Sequence, residues 1–476
     1  MKNFIFGMAI FSIFSIHLKT VFAEEECRED QTRIKELNVF QLPEGNSFNP
    51  KKIVELPDGG IAMADNNHIL FFDANGKLDK KILVGEGIGH SISLGPNGRI
   101  VSASSNGTSA TSRGFVRILN ADGVIEAQYK SPEGRYLFDQ PPFVTKSGII
   151  VVGEQYGYAR FLNLQGESIK SVPVGKGVFF KPEQFVELPD GGFAMNANER
   201  FYIYDANANP KKGSKNGGRF LSSGPDGRIV GTFSDGSSQN SRGFVRILNA
   251  DGVLEAQYKG SEWSKFFDQP PFVTKNGIIV VGEESGYARF LNLQGKSIKR
   301  VPVGKGVFFK PEQFVELPDG GFAMGANNRI LIYDANANFK KSVGAGGRFL
   351  SSGANGRIVD TSSDGSSKNS KGIVRILNAD GELEAQYKGP EGSRFDQSAF
   401  VTKNGMIVIG GEDGKVRFLH FDPSGILDSL KNFFGSSREK CLEDLAQKIN
   451  SDPRKKDKKG SLKNSKRVPS SGVIKQ

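Results

Sequence analysis

Three aspartates stand in nearly the same setting: Asp139 and Asp268 in FDQPPF, and Asp396 in FDQSAF. Carboxylates brought together begin a calcium site, because that cation takes about six to eight oxygen ligands at roughly 2.3–2.6 Å. A second triplet is richer in hydroxyls and amides: ASSNGTSATSRG from Ala103, TFSDGSSQNSRG from Thr232 and TSSDGSSKNSKG from Thr361. Its polar groups include Asn106, Thr108, Ser109, Asp235, Ser237, Ser238, Asp364, Ser366 and Ser367. Such side chains can hydrogen-bond a sugar or a protein surface when a scaffold presents them together. The plainer reading is a solvated hairpin held by Asx turns and copied with the rest of the repeat.

Sets that would make an enzyme are missing. His68, His90 and His420 are scattered, with no HExxH spacing, no GxSxG elbow and no metal-binding cysteine cluster. Arg117, Arg246 and Arg375 recur in VRIL, and Arg160, Arg289 and Arg417 in ARF or VRF. Repeated arginines inside apolar strands suit packing and ion pairing better than catalysis. Asp73, Asp205 and Asp334 in DAN turns lack the remaining ligands of a calcium loop. The lone Trp263 could serve as a sugar platform, but a surface loop aromatic fits it as well.

These residues recur because the chain repeats. VPVGKGVFFKPEQFVELPDGGFAM runs from Val172 to Met195 and again, letter for letter, from Val301 to Met324, an offset of 129 residues. A diverged version covers Phe48 to Met63. Each copy divides into three phrases, in the middle copy FVELPDGGFAM, FLSSGPDGRIV and FVTKNGIIVV, and each phrase is followed by a second apolar stretch ending in a turn. Asp-Gly, Asn-Gly and Gln-Gly steps supply the positive φ of tight hairpins between alternating apolar residues. Every unit is therefore two hairpins, or four short strands, in about 43 residues, the period of a propeller blade.

The repeated strand, Pro-Asp-Gly or Asn-Gly turn, strand and Asn/Asp-rich hairpin resemble the bacterial NHL-type and related β-propeller repeats, from about Ile34 to Leu427. WD repeats match less well, since their Gly-His and Trp-Asp signatures are absent. The resemblance implies an all-β fold: a single β-propeller of about nine four-stranded blade units, three modules of three blades over about 51–179, 180–308 and 309–430. Propellers host enzymes and binding modules alike. Placed on such a ring, Asp139, Asp268 and Asp396 fall in inter-blade loops three blades apart, too far to share one calcium; each is expected to cap local backbone amides. The hydroxyl-rich loops join second and third strands, so they stand at one-third turns around one rim, where weak contacts can add.

The ends identify a seam. IKSVPV from Ile169 and IKRVPV from Ile298 read as outer strands, and the last unit lacks this phrase. IKELNV from Ile34 supplies it, so residues 34–39 are expected to close the ring and remove an open edge. Residues 431–451 read as a short C-terminal helical segment, and Cys27 and Cys441 as a disulfide across the seam. A charged start, an apolar Phe4–Ile16 and Val21-Phe22-Ala23 read as a signal peptide over residues 1–23, giving an exported protein of the periplasm, cell surface or medium. Residues 24–33 form an N-terminal segment before the ring.

The formal net charge is +11. Lys2 and Lys19 sit in the leader, and nine basic residues against Asp457 sit in the tail from Arg454 onward, leaving about +1 for the body. Nucleic acid is thus not expected on the propeller body, whereas the basic tail, read as disordered, suits anionic surfaces. The expectation is a monomeric, non-catalytic scaffold for a protein or glycan of the cell envelope. No cofactor is expected, with calcium or another divalent metal left open. The alternatives are a metal-assisted propeller lyase or hydrolase, with His90 and His420 the first residues to test, and a structural envelope component.

Overall fold

Alternation and turn chemistry produce the expected element. Apolar runs such as Ile61–Asp65 and Ile150–Glu154 are buried along their whole length, whereas outer strands such as Leu254–Lys259 alternate exposed and half-buried residues. The computed structural model describes residues 34–421 apart from 44–47, 85–87, 109–110, 136, 138–139, 155–156, 175–184, 198–199, 215–219, 236–240, 262–268, 305–312, 327, 345 and 347. The signal peptide, Cys27, Cys441, the C-terminal helical segment and the basic tail lie outside the described residues.

Among the described residues the strands form nine four-stranded antiparallel sheets. Blades 1 to 9 begin with Ile53–Glu55, Ile88–Leu94, Phe143–Val144, Phe185–Glu187, Phe220–Ser223, Phe272–Val273, Phe314–Glu316, Phe349–Ser352 and Phe400–Val401. First strands of successive blades approach one another, so they line the axis of the ring. Blade 9 takes its fourth strand from the other end of the chain. Ile34–Gln41 pairs antiparallel with Lys415–Phe421, Ile34 opposite Phe421 and Gln41 opposite Lys415, with an irregularity between Glu36 and Asn38. The closing strand is thus present and runs two residues beyond Val39.

The core lies between blades. The 9/1 junction packs Leu42, Phe48, Ile53, Ile61 and Met63 against Met406, Val408 and Phe418, and the 3/4 and 6/7 junctions are built on Phe161, Phe193 and Tyr204 and on Phe290, Phe322 and Tyr333. Phe143 stacks on Phe185 and Phe272 on Phe314, both with centroids 4.8 Å apart. Hydrogen bonds repeat at the same junctions: Glu55, Glu187 and Glu316 accept the backbone N–H of Lys403, Lys146 and Lys275 at 2.8, 2.5 and 2.6 Å. One clamp, used at both internal junctions, also spans the seam.

A single sequence position shows why turns recur so faithfully. Gly98, Gly227 and Gly356 hold φ near +73°, +72° and +75°, and a Cβ there would meet Pro57, Pro189 or Pro318 of the preceding blade at 2.5, 2.6 or 2.0 Å. Left-handed backbone and close approach both demand glycine.

Candidate functional site

The three hydroxyl-rich loops are closed alike at their necks. At each neck one Asx residue makes two bonds with one partner: the N–H of Asn106, Asp235 and Asp364 donates to the carbonyl of Arg113, Arg242 and Lys371 at 3.1 Å, and its Oδ1 accepts their N–H at 2.7 Å. The side chain therefore serves the backbone first. In blade 8 the loop is fully described, and Asp364 to Asn369 are exposed in succession. The Ser370 N–H donates to the Ser367 carbonyl at 3.0 Å, their hydroxyls lie 3.1 Å apart, and Arg394 Nη1 donates to the Ser366 carbonyl at 3.1 Å. The result is a pinned polar knuckle that presents Ser366 and Ser367. Thr108 is exposed in the first loop, while Ser109, Ser237 and Ser238 lie outside the described residues.

The loops do stand beside the inter-blade connections. Ser105 Oγ donates to the Leu137 carbonyl at 3.0 Å and accepts its N–H at 2.8 Å. Ser363 Oγ makes the corresponding pair with Phe395, at 3.4 and 3.0 Å. Asp396 therefore shares a rim with the blade 8 knuckle. Its role differs from the expected amide cap: Arg394 Nε donates to Oδ2 at 2.7 Å and Arg348 approaches Oδ1 at 3.5 Å. The third copy has lost the Pro-Pro that follows Asp139 and Asp268 and has gained Arg394, so the carboxylate pairs with guanidinium groups instead. Asp139, Asp268 and Trp263 lie outside the described residues.

The DAN aspartates cap their own turns. Oδ1 of Asp73, Asp205 and Asp334 accepts two N–H groups each, at 2.7–2.9 Å. The hydrogen bond from the Asn209 or Asn338 backbone heads the causes that hold the Asp205 and Asp334 carboxyls below the usual range. His68, His90 and His420 belong to blades 1, 2 and 9 and are not brought into one sheet. Among the described residues no three His, Cys, Asp or Glu side chains are grouped to hold a metal.

Sequence reasoning missed the most deeply placed charges. Glu154 and Glu283 are fully buried. Arg160 donates to Glu154 through Nε at 2.9 Å and Nη2 at 3.1 Å, and Tyr129 of the preceding blade donates to it at 3.3 Å. Burial, then the Glu154 charge, pushes the Tyr129 hydroxyl up to about 12. Glu283 accepts from Arg289 at 2.5 Å and from Arg300 at 2.9 and 2.7 Å. Arg375 reaches the equally buried Asp360 at 2.9 Å. These arginines form ion pairs within their own blades, and Tyr129 ties the first pair to the preceding blade. The signal was the shared IVVGE of blades 3 and 6, which ends in the acid and becomes IVIGG in blade 9.

The axial wall holds a recess of about 380 Å³ lined by the first strands of blades 4, 5 and 6, with Glu187, Ser222, Ser223, Pro270, Pro271 and Phe272 among its residues.

No protein family and no curated protein matches the chain. Solved structures do resemble it. BamB from Moraxella catarrhalis is 12% identical over 82% of this chain and 100% of that one, with a TM-score of 0.45. Sqt1 from Chaetomium thermophilum, bound to the N-terminus of the ribosomal protein L10, is 13% identical over 70% and 96%, with a TM-score of 0.47. The C-terminal WD40 domain of Sif2 is 11% identical over 82% and 98%, with a TM-score of 0.45. At such identity the likeness is one of general architecture.

Proposed function

We propose that this protein is an exported, monomeric, non-catalytic β-propeller scaffold of the NHL-type kind, which binds a protein or glycan of the cell envelope through its three polar rim loops. The observation that carries the reading is the blade 8 knuckle, where Asp364, Ser370 and Arg394 spend their bonds on the backbone and hold Ser366 and Ser367 in the exposed part of the loop. A loop ordered before binding loses less entropy when it binds. Three such loops, one to each three-blade module, add their weak contacts if one partner spans them. The basic tail contributes attraction to anionic envelope surfaces, and no metal or cofactor is required.

The test is a panel of envelope proteins and envelope glycans against the full mature chain, with Asn106→Ala, Asp235→Ala and Asp364→Ala made singly and together. Each single change is expected to weaken capture of the partner, and the triple change to weaken it most. Capture indifferent to all three changes, or no capture above background, rules the reading out.

A further inference from the structure

The recess in the axial wall has an unusual balance of hydrogen-bonding groups. It lies where three strand edges come together, since Phe185–Glu187, Phe220–Ser223 and Phe272–Val273 are each the terminal strand of their sheet. Pro270 and Pro271 line it and have no N–H to offer. Ser222 already donates its hydroxyl to the Pro271 carbonyl. Among the described residues of the lining Glu187 is the one that carries a charge, and its Oε1 is fixed by the Lys146 N–H at 2.5 Å. Lys146 Nζ stands 3.9 Å from Oε2 on a side chain that is 90% exposed, a pair too open to neutralise the carboxylate. Phe185, Phe272, Val186 and Val273 supply the apolar part.

Acceptors and a negative charge, with few side-chain donors among the described residues, call for a ligand that is cationic and rich in donors. A guanidinium has five N–H groups, no acceptor and a flat face that stacks on aromatic rings. The neighbouring strand edges suit an extended backbone. We propose that this recess is a binding site for an arginine side chain carried on an extended peptide segment.

The other two copies show what the site needs. Blade 2 has Leu94 where blade 5 has Ser223, and blade 9 follows Ser398-Ala399 where blade 6 follows Pro270-Pro271. Hydroxyl and double proline coincide in the middle copy, whose blades 4 to 6 line this recess. The Asp364 loop belongs to blade 8, which contributes nothing to the described lining, and Asp364→Ala should leave the recess intact.

The experiment uses the full mature chain with labelled valine methyls and a capped Gly-Arg-Gly peptide, followed by the same peptide with citrulline, the uncharged counterpart of arginine. The arginine peptide is expected to shift the Val186 and Val273 methyls to saturation, with the citrulline peptide about tenfold weaker or more. Ser223→Leu, which imports the residue blade 2 carries at this position, and Glu187→Gln should each abolish the shifts while an unchanged melting curve reports an intact ring. Methyls that do not move, equal binding of the citrulline peptide, or full affinity in Glu187→Gln overturns the proposal.

Discussion

Blades 6 and 9 hold the same arginine in two different ways. Arg289 in blade 6 meets Glu283 of its own second strand, and Arg300 of the fourth strand bonds the second oxygen of that carboxylate. Arg417 in blade 9 is 1% exposed, but Gly411 stands where Glu283 would be. Its charge is met by Asp413 three residues before the strand's Val416, at 3.1 Å, and by Glu36 of the closing strand at 3.8 Å. A Cβ on Gly411 would lie 2.5 Å from Asp413, 2.8 Å from the Ser393 carbonyl and 3.0 Å from Arg417, so the seam has no room for the acid used elsewhere. Tyr387 of blade 8 donates to Glu36, as Tyr129 donates to Glu154. The lesson is that the seam reproduces the internal tyrosine, acid and arginine arrangement with an acid brought from the other end of the chain. Closure is thereby specified by charge as well as by strand pairing.

The largest way to break this comparison is to remove residues 34–41. Blade 9 would lose its fourth strand, Ile34 would leave the 8/9 core, and Arg417 would lose Glu36. A loss above about 4 kcal/mol is expected, measured as a large drop in thermal midpoint; unchanged melting would show that the ring does not depend on its seam. Next in size is Glu283→Ala, which leaves Arg289 and Arg300 without their shared carboxylate. Breaking a buried pair from one side costs about 3–5 kcal/mol. Denaturant unfolding of this variant beside Glu154→Ala should place Glu283 first, because its second guanidinium bonds at 2.7 Å whereas Arg135 stands 3.7 Å from Glu154.

Much of the ring was readable because its causes are local. Period-two apolar runs, turns such as Pro225-Asp226-Gly227 and a fourth strand missing after Phe421 are each visible within a few residues, and they gave the blades and the seam. Glu154 was not readable in the same way. Its partners Tyr129, Arg135 and Arg160 come from two blades and an inter-blade loop, and no single stretch of sequence shows that they converge. Asp396 was misread because the identical Asp-Gln pair concealed a changed neighbour: Arg394 decides its role, and Arg394 lies outside the repeated phrase. The axial recess escaped notice for a third reason. Its lining consists of ordinary strand residues whose meaning depends on three blades meeting.

Removing Glu36 should cost less than removing Glu283. Glu36 is about a third exposed and 3.8 Å from Arg417, which keeps Asp413. With solvent screening, Glu36→Ala is expected to cost about 1 kcal/mol, read from denaturant unfolding; a loss as large as that of Glu283→Ala would make the closing strand's charge the dominant contact of the seam.

The smallest effect concerns the two internal blades. Blade 3 has Ser171 where blade 6 has Arg300, and its second guanidinium comes instead from Arg135 of the preceding inter-blade loop, stacked over Tyr158 at 5.1 Å where Arg300 stacks over Tyr287 at 3.7 Å. Ser171 Oγ is buried without a hydrogen-bond partner, at the place on the fourth strand from which Arg300 reaches its glutamate. Arg135→Ser should therefore destabilise blade 3, and Ser171→Arg should restore what was lost by supplying the blade 6 arrangement. A double-mutant cycle in denaturant is expected to give a coupling of about 1 kcal/mol. Strict additivity would mean that the two arginines do not serve one carboxylate. Coupling would show that copies of one repeat have moved a charge between a loop and a strand while keeping it where the buried glutamate needs it.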